Sequence, residues 1–264
     1  MGSKLDELAA YAGFRVAKAK EKMPLEEIRR KALSLSREQP FRFEKALSGT
    51  GEIHFICECK KASPSKGLIA PEFPYLDIAR QYEAAGAAAI SVLTEPKWFL
   101  GSLDYLREIA EQVRIPCLRK DFTVDPYMIY EARIAGASAV LLIAALLDTA
   151  EIREYLAIAD ELGLSAIVEA HDEKEVASAV AAGARIIGVN NRNLKDFTVD
   201  IRNSIRLREL APREAIFIAE SGIQSPEDIE ALRQNGVNAV LVGEQLMRAA
   251  SPAAELARLR GDRP

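Results

Sequence analysis

One short pattern recurs four times along this 264-residue chain, and it restricts the possible folds more than any other feature. In EAAGAAAISV, RIAGASAVLL, AAGARIIGV and RQNGVNAVLV, a helical stretch closes on a glycine (Gly86, Gly136, Gly183, Gly236) just before an aliphatic run. The intervals of 50, 47 and 53 residues are too long for one strand–helix unit and suit two. Eight such runs occur in all: HFICECK from His54, AAISVLT from Ala88, IPCLRK from Ile115, SAVLLIA from Ser138, LSAIVEA from Leu164, RIIGVN from Arg185, AIFIAE from Ala215 and NAVLVG from Asn238. Each is nearly continuously apolar, as strands covered on both faces are, and amphipathic helical stretches separate them. Four repeats of a two-unit period predict an α/β fold, a (β/α)8 TIM barrel whose inner layers are built from alternate strands. An open doubly wound sheet is the competing arrangement, and its fingerprint GxGxxG is absent.

No Gly/Ser/Pro-rich or single-charge stretch divides the chain, so residues 1–264 read as one domain. Within it, residues 1–53 form a helical extension and residues 54–264 the barrel. Leu5, Leu8, Ala12 and Val16 recur at helical spacing, and Pro24 opens a second helix, LEEIRRKALSL. The spacing leaves open whether these helices cover the barrel base or reach toward its mouth.

Composition excludes several classes of function. A net charge of −4 gives no general footing for nucleic acid. The longest apolar run, Ala139 to Leu147, is too short to cross a bilayer, and Lys4, Asp6 and Glu7 interrupt any apolar leader. Cys57, Cys59 and Cys117 are an odd set without CxxC spacing, so neither disulfides nor structural zinc are expected, and the cytoplasm fits best. With His54 and His171 the only histidines, a zinc hydrolase or Cys/His nucleophile is disfavoured. Acid–base chemistry must then come from carboxylates and lysines.

In a parallel barrel the site forms where strands end, and polar residues gather there. The first strand ends with Glu58 and Lys60, the third with Lys120, the fifth with Glu169, the sixth with Asn190 and the seventh with Glu220. Alternation puts Glu58 and Lys60 on one face, taken as the inner one, and Cys57 with Cys59 on the other as core filling. Any one of these residues alone reads as a salt bridge or a strand end reaching water; six polar residues on one rim point to a wet pocket of mutually tuned groups. After the last two strands, AESGI and VGEQLM turn through Gly222 and Gly243 before helical sequence begins, which suits backbone donation to a phosphate. Ser63-Pro64-Ser65-Lys66-Gly67 adds hydroxyl and ammonium donors, or is simply a flexible surface loop. An inner lysine serves as a Schiff-base nucleophile or as a cationic general acid, and periodicity does not separate the two.

FICECKKASPSKGLI, LRKDF, VEAHDE, GVNNRNL, AESGI and LVGEQLM, in that order, together with the extension LDELAAYAGFRVAKAKEKMPLEEIR, closely resemble the indole-3-glycerol-phosphate synthase family of tryptophan biosynthesis. The resemblance implies a carboxy-lyase without metal or cofactor. Its substrate would be 1-(2-carboxyphenylamino)-1-deoxyribulose 5-phosphate, converted to indole-3-glycerol phosphate with loss of carbon dioxide and water. Lys120 then looks like the general acid, Glu169 like the carboxylate that stabilises the cationic intermediate and removes a proton, and Lys60 like a partner of the substrate anions. Glu58 and Asn190 are similar to orienting residues, and Glu220 to a further pocket carboxylate. Ser63 and Arg192 correspond to positions near the anthranilate carboxylate, Phe122 to an aromatic wall, and Ser221, Gly222, Gly243 and Glu244 to the phosphate site.

Ala62 departs from relatives with a second cation there. Glu244 replaces a small residue and is expected to point away from the phosphate, contributing only its N–H. Lys60, Arg119 and desolvation would pull the pKa of Lys120 down, whereas Glu58 and Glu169 would push it up. A strand-end charge such as Lys120 is expected to matter little for stability. A phosphorylated small molecule is the expected partner of a monomer, with at most transient contact with other tryptophan-pathway enzymes. The rival readings are a Schiff-base aldolase or phosphoribosylanthranilate isomerase type, and a non-catalytic or engineered barrel that retains the pocket.

Overall fold

The computed structural model describes residues 3–36, 39–49, 51–192 and 198–262. Eight parallel strands close into a barrel: β1 (His54–Cys59), β2 (Ala89–Leu93), β3 (Cys117–Lys120), β4 (Ala139–Ile143), β5 (Ser165–Ala170), β6 (Ile186–Asn190), β7 (Ile216–Glu220) and β8 (Ala239–Val242). Each strand pairs with its sequence neighbours, and β1 closes the ring on β8 through His54↔Ala239 to Cys57↔Val242. The open sheet is thereby excluded. All eight strands fall within the runs expected from the sequence.

The repeated glycines have a local cause. Gly86, Gly136, Gly183 and Gly236 follow helices with φ of 78°, 84°, 91° and 73°, the left-handed region that ends a helix without a Cβ clash. Helix starts are equally well marked. Asp125, Asp148, Asp172 and Ser225 each accept a backbone N–H of the helix they precede, and Pro126 and Pro226 occupy first-turn positions.

Two apolar layers result from strand alternation. Inside the barrel, Ile56, Leu118, Leu141, Ile167, Ile186, Ile218 and Leu241 pack together. Outside, Phe55, Cys57, Cys59, Ile90, Val168 and Val240 pack against the helices. The three thiols are buried and free, and burial raises the pKa of Cys57 and Cys117 to about 12, so they fill the core.

The extension does both of the things its spacing left open. Helix α3 (Arg42–Leu47) plugs the base, with Phe43 and Leu47 fully buried in the inner cluster and the Glu44 N–H donating to Ser165 Oγ. Helix α1 (Lys4–Lys22) reaches the mouth instead, where Arg15 makes a two-pronged ion pair with Asp121 at 2.6 and 3.0 Å and Lys20 meets Asp125 at 2.6 Å. Helix α2 (Leu25–Leu33) starts after Pro24 as the sequence suggests and ends at Leu33, two residues short of the expected stretch. No described helix is long and apolar enough to cross a membrane.

Candidate active site

At the carboxyl ends of the strands lies a cavity of about 700 Å³. All thirteen residues singled out from the sequence border it: Glu58, Lys60, Ser63, Lys120, Phe122, Glu169, Asn190, Arg192, Glu220, Ser221, Gly222, Gly243 and Glu244. Asn193 and Leu194, the last residues of the GVNNRNL motif, lie outside the described residues.

At the floor, Lys120 Nζ donates to Glu169 Oε2 at 2.6 Å and to Glu220 Oε2 at 2.9 Å, so one ammonium joins the tips of β3, β5 and β7. Lys60 Nζ donates to Glu58 Oε1 at 2.5 Å, and Ser91 Oγ reaches Glu58 Oε2 at 3.4 Å. Asn190 Nδ2 lies 3.5 Å from Glu169 Oε1. Removal of these carboxylates from water is compensated by pairing, because an isolated buried charge would neutralise itself instead.

The competition over Lys120 has a definite outcome. Burial pulls its pKa down, but the charges of Glu169, Glu220 and Glu58 outweigh burial and raise it above the ordinary lysine value. The two carboxylates sharing that ammonium diverge. Burial raises Glu169, and Lys120 together with His171 overcomes this and lowers it. Glu220 is pushed up to about 7 by burial and by Glu169, with Lys120 only partly offsetting them. Its Oε1 is buried without a hydrogen-bond partner among the described residues.

Across the cavity, Ser221 and Gly222 sit in the left-handed region, at φ 68° and 87°, with Asn191 Nδ2 donating to the Ser221 carbonyl at 3.0 Å. Two consecutive left-handed residues, one of them not glycine, mark a backbone held in place by its surroundings. The SPSKG segment is not a loose loop: Ala62–Ser63 and Gly67–Leu68 pair as a small antiparallel hairpin, and Lys66 N donates to Ser63 Oγ at 3.2 Å. Glu244 does not simply turn away. It borders the cavity and its carboxylate meets Lys66 Nζ at 3.6 Å and Arg248 Nε at 3.1 Å, so two cations offset its charge.

The profile of indole-3-glycerol phosphate synthase matches residues 5–259. The chain belongs to the indole-3-glycerol phosphate synthase family. The indole-3-glycerol phosphate synthase of Ruminiclostridium cellulolyticum is 60% identical over 257 residues, covering 97% of this chain and 98% of that protein. That of Endomicrobium trichonymphae is 53% identical, covering 97% and 99%. Among solved structures, 3-hexulose-6-phosphate synthase from Salmonella typhimurium superposes with a TM-score of 0.65 at 18% identity, covering 80% of this chain and 98% of that one. That likeness concerns the barrel alone.

In this member of the indole-3-glycerol phosphate synthase family, several contributors to the site escape a reading of strand ends. Lys4, Leu5 and Leu8 of α1 border the cavity, as does Phe99, whose ring lies 6.0 Å from that of Phe122. Glu95, fully buried, accepts the N–H groups of Lys97, Trp98 and Phe99 at 2.7 to 2.9 Å and so fixes that wall. Gly188 and Gly243 leave the space that the Glu220 and Glu58 carboxylates occupy, since a Cβ at either would overlap them. Gly188 lies inside the sixth apolar run without any signal of this role, while Gly243 is expected from the sequence only as a backbone donor to phosphate.

Proposed function

We propose that the chain acts as an indole-3-glycerol phosphate synthase, a carboxy-lyase that closes the pyrrole ring of 1-(2-carboxyphenylamino)-1-deoxyribulose 5-phosphate. The observation that carries the reading is the Lys120 ammonium held between Glu169 and Glu220 on the cavity floor, opposite the Ser221–Gly222 turn. Ring closure needs a proton for the ribulose carbonyl oxygen as the aromatic carbon attacks it and an anion beside the cationic intermediate. Loss of carbon dioxide then restores the benzene ring, and dehydration needs a proton for the departing hydroxyl and a group to take a proton from the new five-membered ring.

Lys120 supplies the proton. Its raised pKa keeps it charged until an alkoxide, a stronger base than an amine, develops within reach. Glu169, kept ionised, stabilises the intermediate and accepts a proton during dehydration. Lys60 pairs with substrate anions and donates to the departing hydroxyl, with Glu58 and Asn190 orienting the set and Glu220 completing the wall. Ser63 and Arg192 face the anthranilate carboxylate, Phe122 the aromatic ring, and the turns at Ser221, Gly222 and Gly243 the phosphate. The buried free thiols favour a reducing compartment, the cytoplasm.

The pairing of Lys120 also argues against an aldolase, because a Schiff-base lysine must shed its proton to attack, and three carboxylates oppose that here. The purified chain incubated with the anilino-deoxyribulose phosphate should generate indole fluorescence, and borohydride should trap no lysine adduct. Binding of the substrate without product, or a trapped adduct, would contradict the assignment.

A further inference from the structure

His171 lies just beyond the tip of β5 and does not border the cavity, yet it touches the carboxylate on which the proposed reaction depends. Its Nε2 is 3.5 Å from Glu169 Oε1, and Nε2 is sealed from solvent with no hydrogen-bond partner among the described residues. The opposite edge of the ring is fixed. Nδ1 lies 3.0 Å from Glu175 Oε2, an oxygen that also accepts the His171 backbone N–H at 2.7 Å. From the helix after β6 (Arg202–Arg208), Asn203 Nδ2 donates to the His171 carbonyl at 3.1 Å.

This geometry discriminates between protonation states. If Nδ1–H donates its hydrogen bond to Glu175, a neutral ring turns the Nε2 lone pair toward a carboxylate oxygen, which is repulsive. A doubly protonated ring places an N–H there instead. Among the described residues, the charged groups that act most strongly on the ring are acidic: Glu169 from β5, Glu175 from the following helix and Glu220 from β7. Burial disfavours the imidazolium, and these three carboxylates outweigh it, raising the histidine above its ordinary value of 6.5.

A charge count gives the arrangement its purpose. Among the described residues, Glu58, Glu169 and Glu220 form ion pairs with two ammonium groups, those of Lys60 and Lys120. Glu169 and Glu220 compete for Lys120 at 2.6 and 2.9 Å, and among the described residues Glu169 alone has a second group within ion-pair distance, His171, that becomes a cation on protonation. We propose that His171 is a positioning residue, an imidazolium that supplies the third positive charge of this ring and keeps Glu169, not Glu220, as the ionised partner of Lys120. Once Glu220 has ionised above about pH 7, loss of that proton leaves the ring with an excess negative charge before a substrate that carries a carboxylate and a phosphate. Affinity then falls before turnover does. The inference rests on the proposed ring-closing reaction, and its first measurement does not require turnover.

Imidazole NMR of the full chain, with His54 as the one other histidine, should place the His171 pKa above 6.5, and Glu169→Gln should lower it. In pH profiles with the anilino-deoxyribulose phosphate, kcat/KM should fall on the basic side at the His171 pKa, chiefly through KM. His171→Gln, which keeps a donor but cannot ionise, should shift that limb by a unit or more or remove it, with kcat/KM at pH 6.5 reduced about tenfold. Glu175→Gln, further from the cavity, should move the NMR pKa and the basic limb down together, and it serves if His171→Gln folds poorly. A His171 pKa at or below 6.5, or a basic limb that stays in place while the ring pKa moves, overturns the proposal. So does a His171→Gln enzyme that is uniformly slower at every pH.

Discussion

Lys120 Nζ stands 2.6 Å from Glu169 Oε2, so an ammonium from the tip of β3 and a carboxylate from the tip of β5 meet across the intervening strand β4. With Glu220 at 2.9 Å on the other side, the lysine is a keystone for two buried carboxylates. The idea that a strand-end charge adds little to stability therefore does not hold at this position. Its removal leaves two acids without their main counter-ion, a situation that costs about 3 kcal/mol or more when a buried pair is broken.

Glu220 and Glu169 should make stability depend on pH in opposite senses. Glu220 has a folded-state pKa raised from 4.5 to about 7, so the folded chain holds its proton more tightly. Its contribution is fully present below pH 4.5 and is lost as pH rises through about 7. Glu169 is shifted down, so its contribution is present above 4.5 and fades as pH falls below that. Glu220→Gln should flatten the loss between pH 5 and 8 and raise Tm at pH 8 by about 2–4 °C for each ~1 kcal/mol recovered. Calorimetry across that range checks it.

Arg15 ties the N-terminal helix to Asp121, the residue after Lys120. Asp121 is buried, and Arg119, Arg15 and Thr94 overcome its desolvation to hold its pKa down to about 2. Arg15→Ala should cost about 2 kcal/mol, less than a fully orphaned charge because Arg119 and Thr94 remain. The same variant should raise KM through loosening of Leu5 and Leu8 at the cavity wall. Denaturation and steady-state kinetics on one preparation test both.

Gly243 is required for space, since its φ of −124° is open to any residue. Gly243→Ala would push a methyl group into the Glu58 carboxylate and separate it from Lys60. A stability loss of about 1–3 kcal/mol is expected from overpacking, with a fall in kcat of tenfold or more. Gly188→Ala should do the same to Glu220.

Glu244 pairs with Lys66 and Arg248, two cations that would otherwise be open to the phosphate of the proposed substrate. Glu244→Ser should free both cations and lower KM about three- to tenfold, with kcat little changed. The gain should shrink in high salt, because exposed charges are screened.

Much of this site was legible in the chain because barrels restrict where chemistry can sit. Once Gly86, Gly136, Gly183 and Gly236 fixed the period, the last polar residue of each run had to lie at the mouth, and alternation turned Glu58 inward and Cys57 outward. Contributions from outside the strand tips were not legible in that way. The Arg15–Asp121 pair joins residues 106 positions apart, and no local pattern records such a contact. The spacing of α1 and α3 showed apolar faces but not that one would seal the base while the other bordered the cavity. His171 follows Glu169 in VEAHDE, yet only its ring position, between Glu169 and Glu175, gives it a role.

The most direct test of the account is Lys120→Met, which keeps the aliphatic stem and removes the proton, measured at pH 6 where Glu220 is largely neutral and the fold is least stressed. Indole formation from the anilino-deoxyribulose phosphate should fall at least a thousandfold while a reduced, unreactive substrate analogue binds within about tenfold of the unaltered chain. Turnover within tenfold of the unaltered chain would show that the proton comes from elsewhere.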